Sequence, residues 1–177
     1  MVAPKPLRDV LGPDLRVLFC GINPSLFSAE RGHHFARPGN RFWPALHGAG
    51  FTPRRLSPDE DGRLPAFGLG ITNLVDRPTR AASELAPEEL RAGAAALAAL
   101  VAAVRPGVLA FVGIGAFRTG YGRPKAGLGL QDLPVAGVPV WVLPNTSGLN
   151  ANHQLPDLIG LFAELRAYTA APAAPVP

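Results

Sequence analysis

Four short apolar runs recur along the chain: Val17–Cys20, Gly70–Val75, Val108–Val112 and Val140–Leu143. Each is bounded by glycine, proline or polar residues, and their apolar stretches do not alternate strictly with polar residues. That pattern predicts short strands buried on both faces. The segments between them change to helical spacing. Across residues 87–104, Leu90, Leu97, Val101 and Val104 fall on one stripe, Glu88 and Glu89 occupy the first turn, and Arg105-Pro106-Gly107 stops the helix. A last helix is predicted over about Leu155–Tyr168, with Leu158, Leu161, Phe162 and Leu165 turned inward. One more follows Asn40. Another begins at Ser57, where Ser-Pro-Asp-Glu supplies an N-cap, a proline at the first helical position and a capping-box Glu60. Strands alternating with helices predict an α/β three-layer sandwich, a central and mostly parallel β-sheet flanked by helices. No internal repeat divides the chain. Residues 1–170 read as a single domain, followed by a low-complexity, frayed Ala/Pro tail over 171–177.

If the strands run parallel, their C-terminal ends share one edge, the edge at which open α/β sheets bind ligands. The first strand runs into Gly21-Ile22-Asn23-Pro24-Ser25, where the proline holds Asn23 extended. Two readings stand: a carboxamide that positions a water or a ligand edge, or a loop asparagine bonded to its own backbone. The second strand brings Asn73 and Asp76 to the same edge. Asp76 is a better base in principle, or else an ion-pair partner or cap for the turn at Arg77-Pro78. The last strand feeds W-V-L-P-N-T-S-G-L-N-A-N over residues 141–152, a long polar loop with a single exposed-looking Leu149.

Charge narrows the partner class. The net charge is +4 and the pI about 10.0, almost all of it arginine. Arg31, Arg37, Arg41, Arg54, Arg55, Arg63, Arg77 and Arg80 crowd one stretch and predict a phosphate-binding footprint. Arg41, beside Phe42 and Trp43, is the one expected to serve packing instead. The single Cys20 excludes a disulfide framework and any cluster of thiolates, and it fits a reducing cytosol. His33, His34, His47 and His153 lack metal-binding spacing. Gly113-Ile-Gly115-Ala-Phe-Arg118 lacks the third glycine of a dinucleotide fingerprint and reads as a tight strand-to-helix turn. Neither Ser25 nor Ser147 sits in a nucleophile elbow, and Ser147 reads as a backbone-bonding loop serine. The longest Ala/Leu/Val run, residues 94–104, is too short to cross a bilayer, and no signal-peptide pattern opens the chain. The expectation is a cytoplasmic protein with no metal and no cofactor.

G-I-N-P-S (21–25) and N-T-S-G-L-N (145–150) together resemble the mismatch-specific uracil/thymine-DNA glycosylase family of the uracil-DNA glycosylase superfamily. F-A-R-P-G-N-R-F-W (35–43) and L-V-D-R-P-T (74–79) add to the resemblance, which runs over roughly residues 15–168. It implies a parallel sheet flanked by helices and a monomeric enzyme acting on double-stranded DNA with G·U or G·T mismatches. It assigns Asn23 to the hydrolytic water at C1′, Phe35 to stacking on a flipped base, and Asn145 to holding the base or the water. Gly21, Ile22, Ser25 and Asn73 belong to the base pocket. Ser147, Gly148 and Leu149 enter the duplex, with Leu149 filling the gap left by the extruded nucleotide and Arg41 on the DNA side.

Three positions depart from the family pattern. Ser25 stands where close relatives often have glycine and strictly uracil-specific ones a bulky tyrosine, so the pocket has room for a C5 substituent. Asn73 replaces a lysine found in some relatives. Ala151 stands where an arginine often follows the wedge, which weakens contact with the opposite guanine. A catalytically weak mismatch- or lesion-binding module of the same fold is the alternative. A small-molecule nucleotide hydrolase would have no use for Leu149.

Overall fold

Strand β1 (Val17–Gly21) is buried at all five positions and is an inner strand of the sheet. It pairs in parallel with β2 (Leu69–Asn73) on one side and β3 (Val108–Val112) on the other. Beyond β3 come β5 (Val140–Leu143), also parallel, and the two-residue β4 (Gly129–Leu130), antiparallel, giving the order β2-β1-β3-β5-β4. The computed structural model describes residues 7–170, so the tail expected over 171–177 lies outside the described residues. This is the mostly parallel sheet flanked by helices that the alternating pattern predicts. The short β4 was not expected: with Leu130 half exposed and no apolar run, it carries no signal.

Successive residues of a strand face opposite sides, so β1 feeds two cores. Val17 and Phe19 point to one layer, with α2 (Phe42–Gly48) and α5 (Leu155–Ala170). Leu18 and Cys20 point to the other, with α3 (Pro87–Val104) and α4 (Ile114–Gly120). Phe19 packs edge-on to Phe42 at 5.3 Å and lies 6.0 Å from Phe162. Such aromatic pairs add about 0.5–1.5 kcal/mol each beyond area burial. In α5, Leu158, Phe162 and Leu165 are buried as expected, while Leu161 is only half-buried.

The segment after Ser57 is not an α-helix. Pro58–Phe67 winds as a 3-10 helix, its start fixed by the Glu60 carboxylate accepting from Ser57 N–H at 3.2 Å. Pro65 explains the difference, since it has no N–H for the α-helical ladder and its ring crowds the preceding turn. The strand expected over Gly70–Val75 ends at Asn73, yet its pairing with the β1 segment continues: Leu74 N–H donates to Gly21 O and Val75 N–H to Ile22 O. Thr79 N–H then reaches Pro24 O, and Leu26 N–H reaches Thr79 O. Residues 21–26 and 74–79 therefore run side by side past the end of the sheet. Chain order reverses between β1 and β3, and crevices form at that kind of switch point.

Candidate active site

A cleft of about 1000 Å³ opens over that switch point, at the upper end of the range for small-molecule sites. Asn23 lines it, in a fixed orientation. The Nδ2 group donates to Arg77 O at 2.8 Å and to Thr79 Oγ1 at 2.8 Å. Arg77 O can only accept, so the nitrogen must sit there and Oδ1 must face the other way. Thr79 is buried and passes its own hydroxyl proton to Ala81 O at 2.8 Å, so its oxygen is left as an acceptor for Asn23. Oδ1 has no partner among the described residues and is not sealed from solvent. The outcome is a rigid, neutral acceptor in the cleft, and the loop asparagine bonded only to its own backbone is not what forms.

Phe35 forms an aromatic wall. Its ring stacks on the fully buried Phe42 at 4.2 Å with 19° between planes, leaving the other face to the cleft. Its backbone is left-handed, φ 51°, a conformation that costs a non-glycine residue about 1 kcal/mol or more. The neighbours over-determine it. Asp61 accepts from His34 N–H at 3.0 Å and bonds His33 Nδ1 at 3.2 Å, Trp43 Nε1 donates to His34 O, and Ala36 N–H donates to Ser28 Oγ. His34 is buried with Nε2 against Arg8 O at 2.8 Å, and burial pushes its pKa down from 6.5. Gly21 lies beneath: a Cβ there would sit 2.6 Å from Asn73 Oδ1 and 3.4 Å from Phe35 Cζ, so a side chain would push the Asn73 carboxamide from its place. Asn73 lines the cleft with neither end of its carboxamide hydrogen-bonded to a described residue.

The loop after β5 supplies the third wall. Asn145 Oδ1 accepts from Ser147 N–H at 2.8 Å, which turns the Asn145 NH2 outward as a donor. Its backbone carbonyl is held by Asn150 Nδ2 at 2.8 Å. Ser147 Oγ accepts from Leu149 N–H, the backbone role expected of it. Leu149 lines the rim and is 77% exposed, the highest value among the exposed large hydrophobic residues described.

Arg41 departs from the DNA-side place that the resemblance implies and is the exception its aromatic neighbours suggest. Its guanidinium donates to the carbonyls of Ser147, Asn150 and His153 and is half-buried, so it faces the loop and not a phosphate. The wider footprint also shrinks. Arg54 and Arg63 both pair with Glu60, Arg77 pairs with Glu89 at 2.8 Å, and Arg31 lies over the Phe27 ring. Arg37, Arg55 and Arg80 remain without a carboxylate partner among the described residues.

Asp76 is exposed, lines no part of the cleft and makes no ion pair with a described residue. The turn that carries Leu74 and Val75 inward turns it out, and the neighbouring arginine goes to Glu89. Asp76 is therefore neither in the cleft nor the partner of Arg77, and its carboxylate accepts no hydrogen bond from the turn among the described residues. Ser25 lines the cleft, but its Oγ accepts from Ser28 N–H as the cap of α1 (Leu26–Arg31). Ile22 lines it too. Among the described residues no three His, Cys, Asp or Glu side chains are grouped to hold a metal ion, and no helix is long and apolar enough to cross a membrane. Sequence reasoning missed Thr79, Ser28 and Asp61; Thr79 alone had a signal, as the end of the L-V-D-R-P-T segment.

Comparison with known proteins adds the family. A solved structure of a candidate uracil-DNA glycosylase from Methanosarcina acetivorans has the same fold, with a TM-score of 0.58 and 18% identity, over 92% of this chain and 98% of that one. The family model of the uracil-DNA glycosylase superfamily matches residues 9–166, a span that holds every side chain of the cleft described above. Membership implies a DNA glycosylase, a hydrolase acting in DNA repair, and a protein that acts on DNA. With the model matched over nearly the whole length, the chain belongs to the uracil-DNA glycosylase superfamily.

Proposed function

We propose that the protein is a monomeric, mismatch-specific DNA glycosylase that excises uracil, and thymine or a modified cytosine, opposite guanine. The observation that carries this is the fixed and opposite polarity of two amides: Asn23 presents an acceptor to the cleft and Asn145 a donor. Glycoside hydrolysis needs both. The C1′–N1 bond breaks with its electron pair on the base, which leaves as an anion, and the sugar becomes cation-like. Asn23 Oδ1 accepts a hydrogen bond from the water whose oxygen adds to C1′, and the water's proton passes to solvent. The Asn145 NH2 group donates to the base oxygen on which negative charge grows. The reaction so drawn uses no metal and no cofactor.

A base inside a duplex offers no path to its glycosidic bond, so it must be flipped at a cost of a few kcal/mol, less at a mismatch. Phe35 gives the flipped base a new π-face, and Asn73, with no side-chain partner among the described residues, suits its polar edge. Exposed Leu149 fits the stacking gap left behind. Ser25, small and with its hydroxyl held by the cap, leaves room for a C5 methyl.

The test is incubation with end-labelled G·U duplex in EDTA, followed by alkali. Strand breaks at the uracil are expected, and Asn23→Ala should slow single-turnover excision about 10²-fold or more with DNA affinity retained. Tight mismatch binding without abasic sites would select the binding-module reading instead.

A further inference from the structure

We infer that Arg41 is a positioning residue that holds the Leu149 wedge loop in its inserting shape before DNA is met, a role that rests on the wedge reading above. Three carbonyls from one loop, those of Ser147, Asn150 and His153, converge on a single guanidinium. Backbone carbonyls turn inward together only where a cation or a fork of donors collects them, and the planar guanidinium supplies that fork. No carboxylate of the described residues pairs with Arg41, so the carbonyl dipoles are what meet its charge. With its carbonyls drawn in, the loop displays Leu149 outward, at 77% exposure.

The segment carrying Arg41 is stitched to the loop in three further places. Arg41 N–H donates to Thr146 O at 2.9 Å, and Thr146 Oγ1 donates to Asn40 Oδ1 at 2.9 Å. Gly148 packs so close to Gly39 that a Cβ would lie 2.8 Å from its carbonyl oxygen. A flexible wedge would lose ordering entropy each time it entered a duplex, whereas a preformed one has lost it on folding. Lysine cannot do the same work, since a single ammonium on a flexible stem does not present the fork that spans three carbonyls.

Three readouts test this on the full chain. Arg41→Lys should speed hydrogen exchange at the 147–153 amides of the free protein at least tenfold while leaving the β1 and β3 amides unchanged. It should weaken the 2-aminopurine fluorescence rise that reports extrusion beside a G·U pair. On duplex excision it should cost about tenfold, and Leu149→Ala added to it should cost little more, because a misplaced wedge is already lost. Unchanged exchange, or losses from Arg41→Lys and Leu149→Ala that multiply, would overturn the inference. If Arg41→Lys does not fold, Thr146→Val loosens the same seam and is read the same way. If the wild-type protein leaves no abasic sites, the proposed activity fails, while exchange and extrusion still decide the clamp.

Discussion

Replacing Thr79 by valine removes one hydroxyl and keeps the side chain's shape. In the folded protein that hydroxyl is half of what aims Asn23, because the two Nδ2 protons go to Arg77 O and Thr79 Oγ1, each at 2.8 Å. The variant leaves one N–H of a half-buried amide unpaired, a cost of about 1–3 kcal/mol. The amide cannot recover by turning over, since that would set Oδ1 against Arg77 O. It can only rotate away from its aim. If the whole cost falls on the productive orientation, excision slows by roughly 5- to 150-fold, at 1.36 kcal/mol per decade. Thr79→Ser keeps the hydroxyl and loses a buried methyl, which should cost about 1 kcal/mol of stability and little rate. The assay is single-turnover excision from a G·U duplex, with Kd and Tm measured on each variant. A Thr79→Val rate equal to wild type, a Thr79→Ser rate as slow as the valine variant, or a loss confined to Kd would refute the aiming argument.

Two further expectations come from charge. Arg37, Arg55 and Arg80 together should account for about 2.7 of the slope of log K against log salt, at about 0.9 per phosphate, so the triple glutamine variant should lose that much while Arg54→Gln loses almost none. An Arg54→Gln variant that lowers the slope by one would show that its pairing with Glu60 opens on DNA. Burial lowers the His34 pKa below 6.5 against the opposing pull of the Arg8 carbonyl, Asp61 and Asp9, with His33 adding to the lowering. The unfolded chain then takes up the proton first, so stability is full above 6.5 and drains as pH falls from 6.5 toward the folded value, by at most about 1.4 kcal/mol per pH unit. Tm should drop between pH 7.5 and 5.5, and His34→Gln should flatten that drop; an equally steep fall in the variant would assign the effect elsewhere. Asp9, raised by burial, acts with the opposite sign in a window that begins at 3.8.

What could be read along the chain was whatever has a local signature. The apolar runs of β1, β3 and β5 needed no partner to be recognised, and α3 carries its own start and stop, acidic residues in the first turn and Arg105-Pro106-Gly107 after the last, where Arg105 turns left-handed at φ 50°. The strand ends placed Asn23, Asn73 and the 145–150 loop on one edge, and the fold brings them to one cleft. The support of that cleft is invisible locally. Thr79 meets Asn23 across 56 residues, Asp61 holds His34 across 27, and Arg41 reaches carbonyls more than a hundred residues away. Arg41 stands out from the basic stretch by its place beside Phe42 and Trp43, but the carbonyls it holds are not written near it. Arg54 and Arg63 show the same blindness, since Glu60 takes both of them out of the count.

No Asp or Glu is among the described residues lining the cleft, but Arg37 and Arg80 are. This sign pattern bears on how substrates are told apart. A carboxylate near C1′ would favour the cation-like sugar whatever the base, and would speed departure of any base that entered. Here the charges favour the phosphates and the departing anion. On the proposed mechanism the barrier would then depend more on how well the base carries negative charge, with Asn145 the fixed donor available to help. Uracil and its electron-poor derivatives leave readily as anions, and unmodified cytosine does not. Flipping adds a second filter, since a G·U or G·T pair opens at lower cost than a matched one. Neither filter requires a close-fitting pocket, which accords with a cleft as roomy as this one and with an amide, not an acid, at its centre. On the proposed mechanism, replacing that amide by a carboxylate would strengthen the water's acceptor and at the same time weaken the selection, so a modest rate would be the counterpart of leaving ordinary bases alone.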